Sequence, residues 1–234
     1  MSNVKSELKR VVNKIKDKAL RDKIVDLIQN PTMRIGDKTY EGLPLEVSPA
    51  SKRLHHSYRE GLMQHIISSS GIALTLCDIA ERIYHAKVDR DIVLTAVVVH
   101  DLMKPLTYSL KGKENYEMSQ LGEQMDHLTL VVSELIGRGF PLEVIHAVAA
   151  HHGENGPVGP RTVEALICFL SDSTDAALNG EVLKAAKSLV EMCAGEQAGQ
   201  LDAEEAFAIV HAKQSQGCEG VREVFEEIRR RRRK

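Results

Sequence analysis

Ten histidines are spread along this 234-residue chain, and five of them fall in the three pairs His55-His56, His100-Asp101 and His151-His152. Imidazole nitrogens and carboxylate oxygens together suit iron, manganese, zinc and similar divalent ions, and adjacent side chains at a helix end can both turn towards one ion. A lone histidine on an apolar helix face is ordinarily a core or surface residue. The signal here is a succession: His65, the pair His100-Asp101, His127, the pair His151-His152 and Asp172 follow one another along the chain. His55 and His56 precede the first of these and suit contact with a substrate phosphate or proton delivery to a departing oxygen, a role for which a near-neutral pKa is favourable. Asp175 shares a helix face with Asp172 and suits support of the site. Asp126 reads as a solvated helix residue, and His85, His146 and His211 read as structural.

The elements that must carry these groups are helical by periodicity. Apolar residues from Val4 to Gln29 recur at three- and four-residue steps and predict one amphipathic helix, closed by Asn30-Pro31. Residues 31 to about 50 read as a loop, with at most a short hairpin at Gly36-Asp37. A helix from near Tyr58 to about His85 holds His65 in its first turns. The run from Asp91 to Val99 is rich in β-branched residues, but no candidate partner strand lies nearby, so it reads as a buried helix delivering His100-Asp101 at its C-terminal end. A polar loop covers Lys111 to Glu117. Helical spacing then runs from Leu121 to Ile136 with His127 inside it, stopped by Gly137 and Gly139. Pro141 opens a helix that reaches His151-His152-Gly153. After a glycine- and proline-rich loop, residues 161 to 178 form a helix presenting Asp172 and Asp175, and residues 181 to 232 read as two or three more helices.

A chain of this length favours one main domain, and 43% hydrophobic with 27% charged residues is ordinary for a globular protein. The longest apolar run, Ile92 to Val99, is too short to span a bilayer, and the charged N-terminal sequence lacks a secretory signal, so a cytoplasmic protein without membrane contact is expected. Cys77, Cys168, Cys193 and Cys218 show no C-x-x-C spacing and read as reduced thiols. A formal charge of −2 gives no global polyanion-binding signature. The basic block Arg229 to Lys234 reads as a solvated helix end, with an electrostatic hold on RNA as its alternative. With four Phe, five Tyr and no Trp, stacking platforms for bases are scarce, so nucleic acid is not the favoured partner. A homo-oligomer stays open, because periodicity reports only that one helix face is buried.

The segment Val97-Val98-Val99-His100-Asp101-Leu102-Met103-Lys104, with His65, His127, His151 and Asp172 around it, resembles the HD-domain superfamily of metal-dependent phosphohydrolases. The stretch from His55-His56-Ser57-Tyr58 to Gly61-Leu62-Met63-Gln64-His65 is similar to the first motif of two of its branches, bacterial 3′-to-5′ exoribonucleases and small archaeal cyclic phosphodiesterases. The resemblance covers roughly residues 48 to 180. It departs at Met103, where the family often has glycine.

The resemblance implies an all-α HD-domain helical bundle over residues 48–180, with an N-terminal helix and loop over 1–47 and C-terminal helices with a basic tail over 181–234. It implies one divalent ion on His65, His100, Asp101 and Asp172, and a second on His127, His151 and His152 with Asp101 shared. Such ions activate water against phosphorus, and Lys104 would neutralise charge on the phosphoryl oxygens. Fe2+ or Mn2+ is favoured, while Zn2+, Ni2+, Co2+ and Mg2+ also suit the donors. The exoribonucleases carry an extra oligonucleotide-binding barrel for which the first 47 residues are too few. The archaeal branch opens the 2′,3′-cyclic phosphate of dihydroneopterin with iron, so a small cyclic phosphate is the expected substrate. A nuclease or nucleotidase, and a non-catalytic ligand-binding module, are the alternatives.

Overall fold

The computed structural model describes residues 3–29, 31–112 and 115–233. Asn30, Lys113, Glu114 and Lys234, which fall in the expected helix stop, polar loop and basic tail, lie outside the described residues, as do Met1 and Ser2. Among the described residues the fold is all-helical apart from two small antiparallel hairpins.

Helix α3 (Gly61–Ile83) is the central strut, packed against α1 (Asn3–Val12), α4 (Arg90–Val99) and α8 (Val163–Ala194). By length and composition alone α3 could cross a membrane, yet His65, Ser69 and Ser70 are fully buried along it within the bundle. The β-branched run is helical as expected. Asp89 caps α4 by accepting from the Asp91 and Ile92 amides, and residues 93–99 are all buried. After the one-turn helix α5 (Lys104–Thr107), helices α6 (His127–Gly137) and α7 (Leu142–Ala149) complete the first core, and α9 (Ala203–Arg233) lies along the second half of α8. Two apolar clusters result. One joins α1 to the first half of α8, and the other joins Tyr58 to Leu183, Val190, Leu201, Ile209 and Phe225. Helix α8 threads both, so the expected boundary at residue 180 falls inside it.

Several expectations need correction. The N-terminal helix is two, α1 and α2 (Lys18–Gln29), because Asp17 caps α2 through the Ala19 and Leu20 amides while Asp91 captures the Lys16 and Asp17 amides. Its apolar rhythm persists across the break because Ile15, in the connection, is itself fully buried. The polar loop from Lys111 to Glu117 belongs to a hairpin of β3 (Tyr108–Lys111) and β4 (Asn115–Met118), registered by Tyr108 opposite Met118 and Leu110 opposite Tyr116. The other hairpin, β1 (Thr32–Ile35) with β2 (Lys38–Glu41), turns at Gly36-Asp37 as anticipated. His127 is the first residue of α6, not an interior one, since Asp126 is its N-cap and accepts from the Thr129 amide at 2.8 Å. The helix expected to stop at 178 continues to Ala194, and α9 is interrupted only at Gly217, whose φ of 67° and ψ of −149° are not helical. That interruption precedes Cys218, which is joined to Cys193 in a disulfide, so these two cysteines are not the free thiols expected; Cys77 and Cys168 are free and buried.

Two non-glycine residues with left-handed backbone, His56 (φ 42°) and Glu60 (φ 63°), bracket the turn that feeds α3. The turn closes on Gly61, where a β-carbon would stand 2.1 Å from the His56 carbonyl oxygen. Alanine favours helix over glycine by about 1 kcal/mol, but here the clash should dominate. Gly61→Ala is expected to destabilise the protein by about 1–3 kcal/mol, read by urea unfolding; equal or greater stability would show that the turn is not so tightly held.

Candidate metal centre

Four elements converge on one carboxylate. Helix α4 ends at His100-Asp101 inside the core, where Asp101 is 1% exposed. Helix α3 brings His65 from one side, α6 and the end of α7 bring His127 and His151-His152 from the other, and α8 brings Asp172. Around Asp101 Oδ2 stand His65 Nε2 at 3.5 Å and His100 Nε2 at 3.4 Å. Asp172 Oδ1 closes this group, 3.1 Å from His65 Nε2 and 3.6 Å from His100 Nε2, and the two imidazole nitrogens are 3.2 Å apart. Around Asp101 Oδ1 stand His127 Nε2 at 3.3 Å and His151 Nε2 at 3.9 Å. His152 joins this second group, its ring 4.0 Å from that of His151 and 5.2 Å from that of His127.

The imidazoles are turned by acceptors on their own elements. His100 Nδ1 donates to the Val97 carbonyl at 2.8 Å and His151 Nδ1 to the Val148 carbonyl at 2.6 Å. His65 Nδ1 donates to Asp175 Oδ2 at 2.7 Å. Because those acceptors carry no proton, the hydrogen sits on Nδ1 and Nε2 is left to point inwards. Asp175 therefore supports His65, as its position on the Asp172 face allowed.

His56, the candidate for substrate contact, has both ring nitrogens engaged by protein groups. It is 4% exposed, its Nε2 lies 2.9 Å from the same Asp175 oxygen, and its Nδ1 lies 2.9 Å from the Tyr58 hydroxyl. Burial lowers its pKa, so it is neutral: Nε2–H donates to Asp175 and Nδ1 accepts from Tyr58. Tyr58 has a single proton, so the Gln64 amide beside it at 3.0 Å must then present its nitrogen rather than its oxygen. Asn179 completes this support, accepting from the His56 amide and donating to the Tyr58 hydroxyl. Tyr58, quoted only as part of the first motif, and Asn179 were not among the candidate site residues; their only signal is a position two residues after His56 for Tyr58 and one helical turn beyond Asp175 for Asn179.

Lys104, expected near the phosphoryl group, is only 8% exposed and places Nζ 2.5 Å from Asp101 Oδ2. The contact is out of line for a hydrogen bond, and both Asp101 oxygens lack one, as do the buried Nε2 atoms of His127 and His151. Met103, the departure from the family pattern, is fully buried with φ −93°, so no left-handed turn precedes the lysine. His146 accepts from the Arg161 amide, a structural contact away from the cluster.

The electrostatics divide the histidines. Burial opposes charge on His100, but Asp101 and Asp172 outweigh it and lift the imidazole to about 10. His65 is raised in the same way, against burial, by Asp172 and Asp175. Burial holds His127 down to about 4 and pushes His151 and His152 down as well. For Asp101, Lys104 and His100 overcome the burial that favours the protonated acid, and its pKa falls well below the usual range. Orphaned buried polar atoms cost about 1–3 kcal/mol each. A divalent cation supplies what these lack, and donor atoms about 2.1 Å from one ion stand about 3.0–3.4 Å apart, close to the spacings around Asp101 Oδ2. The donor set therefore fits a metal.

Comparison with known proteins gives the same direction. The HD domain family matches residues 62–177. The chain is 39% identical over 173 residues to a dihydroneopterin 2′,3′-cyclic phosphate phosphodiesterase of Methanocaldococcus jannaschii, covering 73% of this chain and 68% of that protein. It is 28% identical over 142 residues to the 3′-5′ exoribonuclease YhaM of Bacillus subtilis, covering 56% of this chain. It is also 31% identical over 152 residues to that of Listeria monocytogenes, covering 59%. The matches span 43% and 46% of those exoribonucleases, less than half their length. No solved structure matches the chain.

Two outcomes follow for metal binding. A ligating imidazole must be neutral, and His100, lifted to about 10, holds its proton at pH 7 without metal, while the raised pKa of His65 opposes deprotonation in the same direction, so uptake must expel protons. Affinity should rise with pH between 6 and 9, about tenfold per unit for each proton released, measured by chelator competition; a flat profile would contradict the charge assignment. Asp175→Asn weakens the acceptor that orients His65 and should lower metal affinity about 10- to 100-fold, measured in the same competition.

Proposed function

The chain belongs to the HD domain family, and on that footing we propose that it is a metal-dependent phosphodiesterase hydrolysing a small cyclic phosphate, with 7,8-dihydroneopterin 2′,3′-cyclic phosphate as the candidate substrate. The observation that carries this reading is Asp101, a buried carboxylate whose two oxygens face two separate groups of imidazole nitrogens.

In this reading His65, His100, Asp101 and Asp172 hold one divalent ion, and His127, His151 and His152 hold a second with Asp101 shared. Fe2+ or Mn2+ suits this mixed nitrogen and oxygen set, as the other first-row divalent ions also do. Bound there, the ions would supply Lewis acidity to the phosphoryl oxygens and activate water for attack on phosphorus. The remaining work belongs to the chain. Asp101 overcomes burial to keep Lys104 cationic, and the ammonium stands ready for negative charge that grows on the phosphoryl oxygens. Asp175 and the Val97 and Val148 carbonyls hold three imidazoles in one tautomer, so no reorientation is needed during reaction. Overall, water gives its hydroxyl to phosphorus, one ring P–O bond breaks, and the departing polyol oxygen takes the proton.

The exoribonuclease relatives motivate a nuclease as second reading. Against it, three arginines of the basic C-terminal block are already paired with acids: Arg229 with Glu196 and Glu226, Arg231 with Glu227, and Arg232 with Glu205. That pairing reduces the charge free to grip a polyanion.

The test is an anaerobic preparation with its metal counted, assayed with Fe(II) or Mn(II) on dihydroneopterin 2′,3′-cyclic phosphate and on a short RNA. Hydrolysis of the cyclic phosphate that falls to the buffer rate in Asp101→Ala is expected. Cleavage of RNA alone would replace the reading with the nuclease, and a metal-free protein that cuts neither after reconstitution would end it.

A further inference from the structure

The loop Arg53–His55 borders a cavity of about 560 Å³ against α8, a size that accommodates a small organic molecule. Its α8 wall begins at Ala176, one turn beyond Asp172, and continues through Gly180 and Leu183. His55 connects it to the metal centre: the residue lines the cavity, and its ring lies 5.0 Å from that of His65. Its Nδ1 is buried without a partner, an unmet hydrogen-bonding atom at the junction. The larger cavity, about 980 Å³ around Lys14, Lys87 and Glu164, touches no residue of the metal centre.

The lining has two characters. Ala176 and Leu183 give an apolar floor with the exposed Leu54 and Ala177 at its rim, while Arg53, Lys184 and Lys187 stand around it against one carboxylate, Glu181, which pairs with Lys184 at 3.7 Å. The cationic surplus favours a substrate that arrives as an anion. The chain has no Trp, and no Phe or Tyr lines this cavity, so the Arg53 guanidinium and the His55 imidazole are the flat groups available to stack on a ring. His55 carries its unmet hydrogen-bonding nitrogen between the cavity and the metal centre.

Resting on the phosphodiesterase reading, we propose that this cavity is the specificity pocket of the enzyme, holding the planar heterocycle and polyol of the cyclic phosphate while its phosphorus lies at the metal centre, with Arg53 and His55 as contacting residues. Gly180 sets its depth. A β-carbon there would meet the Leu54 carbonyl and His55 Cβ at 3.6 and 3.7 Å, ordinary contacts, whereas a longer side chain would occupy the space.

The experiment uses two readouts on the metal-loaded full chain, with metal content and thermal unfolding as controls for Gly180→Leu and Arg53→Ala. The first is the ratio of kcat/KM for dihydroneopterin 2′,3′-cyclic phosphate to that for bis(p-nitrophenyl) phosphate, which has no polyol or pterin. The second is binding of neopterin, followed by its fluorescence, which needs no turnover. The proposal expects the ratio to fall at least about tenfold in each variant, equivalent to 1.4 kcal/mol, chiefly through KM, with neopterin affinity falling alongside. An unchanged ratio with neopterin binding unaltered overturns it, as does a wild type that binds no neopterin. A wild type that binds neopterin through these residues but cleaves no phosphodiester supports the pocket and overturns the catalytic reading alone.

Discussion

The Asp101 carboxylate is buried to 1% exposure, and taking an ionised carboxylate out of water costs several kcal/mol unless charge and hydrogen bonding are returned to it. The rest of the bundle is arranged around that requirement. Lys104 returns one charge from the next turn of the same chain segment, and four imidazoles from four elements stand within 4 Å of its oxygens. None of these contacts is an aligned hydrogen bond to the carboxylate. The burial is thus tolerated electrostatically and left unsatisfied directionally, which is the condition of a carboxylate shaped for cations rather than for protein donors.

Much of this was legible in the sequence, for a physical reason. Ligands must be of particular residue types, and those types are rare enough on apolar helix faces that the succession from His65 to Asp172 stands out. The helices carrying them bury one face each, so spacing located α3, α4, α7 and the first half of α8. What spacing could not report was how each helix ends. Ile15 continues the apolar rhythm through a chain break that Asp17 and Asp91 impose by capturing amides, and one of those acids is 74 residues away in sequence. Likewise Tyr116 is buried by a hairpin whose turn looks merely polar, and the Cys193–Cys218 bridge joins α8 to α9 beside the non-helical Gly217, a pairing that helical spacing does not report.

His56 illustrates the limit within the site itself. Residue type and adjacency to His55 made it a candidate for substrate, and both features are equally those of a buttress. Only three-dimensional partners separate the two roles: Tyr58 and Asp175 occupy both ring nitrogens of His56, while His55 keeps a buried nitrogen without a partner. Of two neighbouring histidines, the left-handed backbone at His56 turns one towards the core, and the other is left lining the cavity.

That same network changes the meaning of the C-terminal helices. Tyr58 belongs by its ring to the second apolar cluster, with Leu183, Ile209 and Phe225, and by its hydroxyl to His56 and Asn179. Through Asp175 the chain of contacts reaches His65. Loosening the packing of α9 on α8 would therefore release Tyr58, then His56, and then the carboxylate that fixes the tautomer of His65. Helices that look appended to the motif-bearing bundle are physically the outer support of its first imidazole, and α8, continuous through Gly180, is the rigid element that transmits that support.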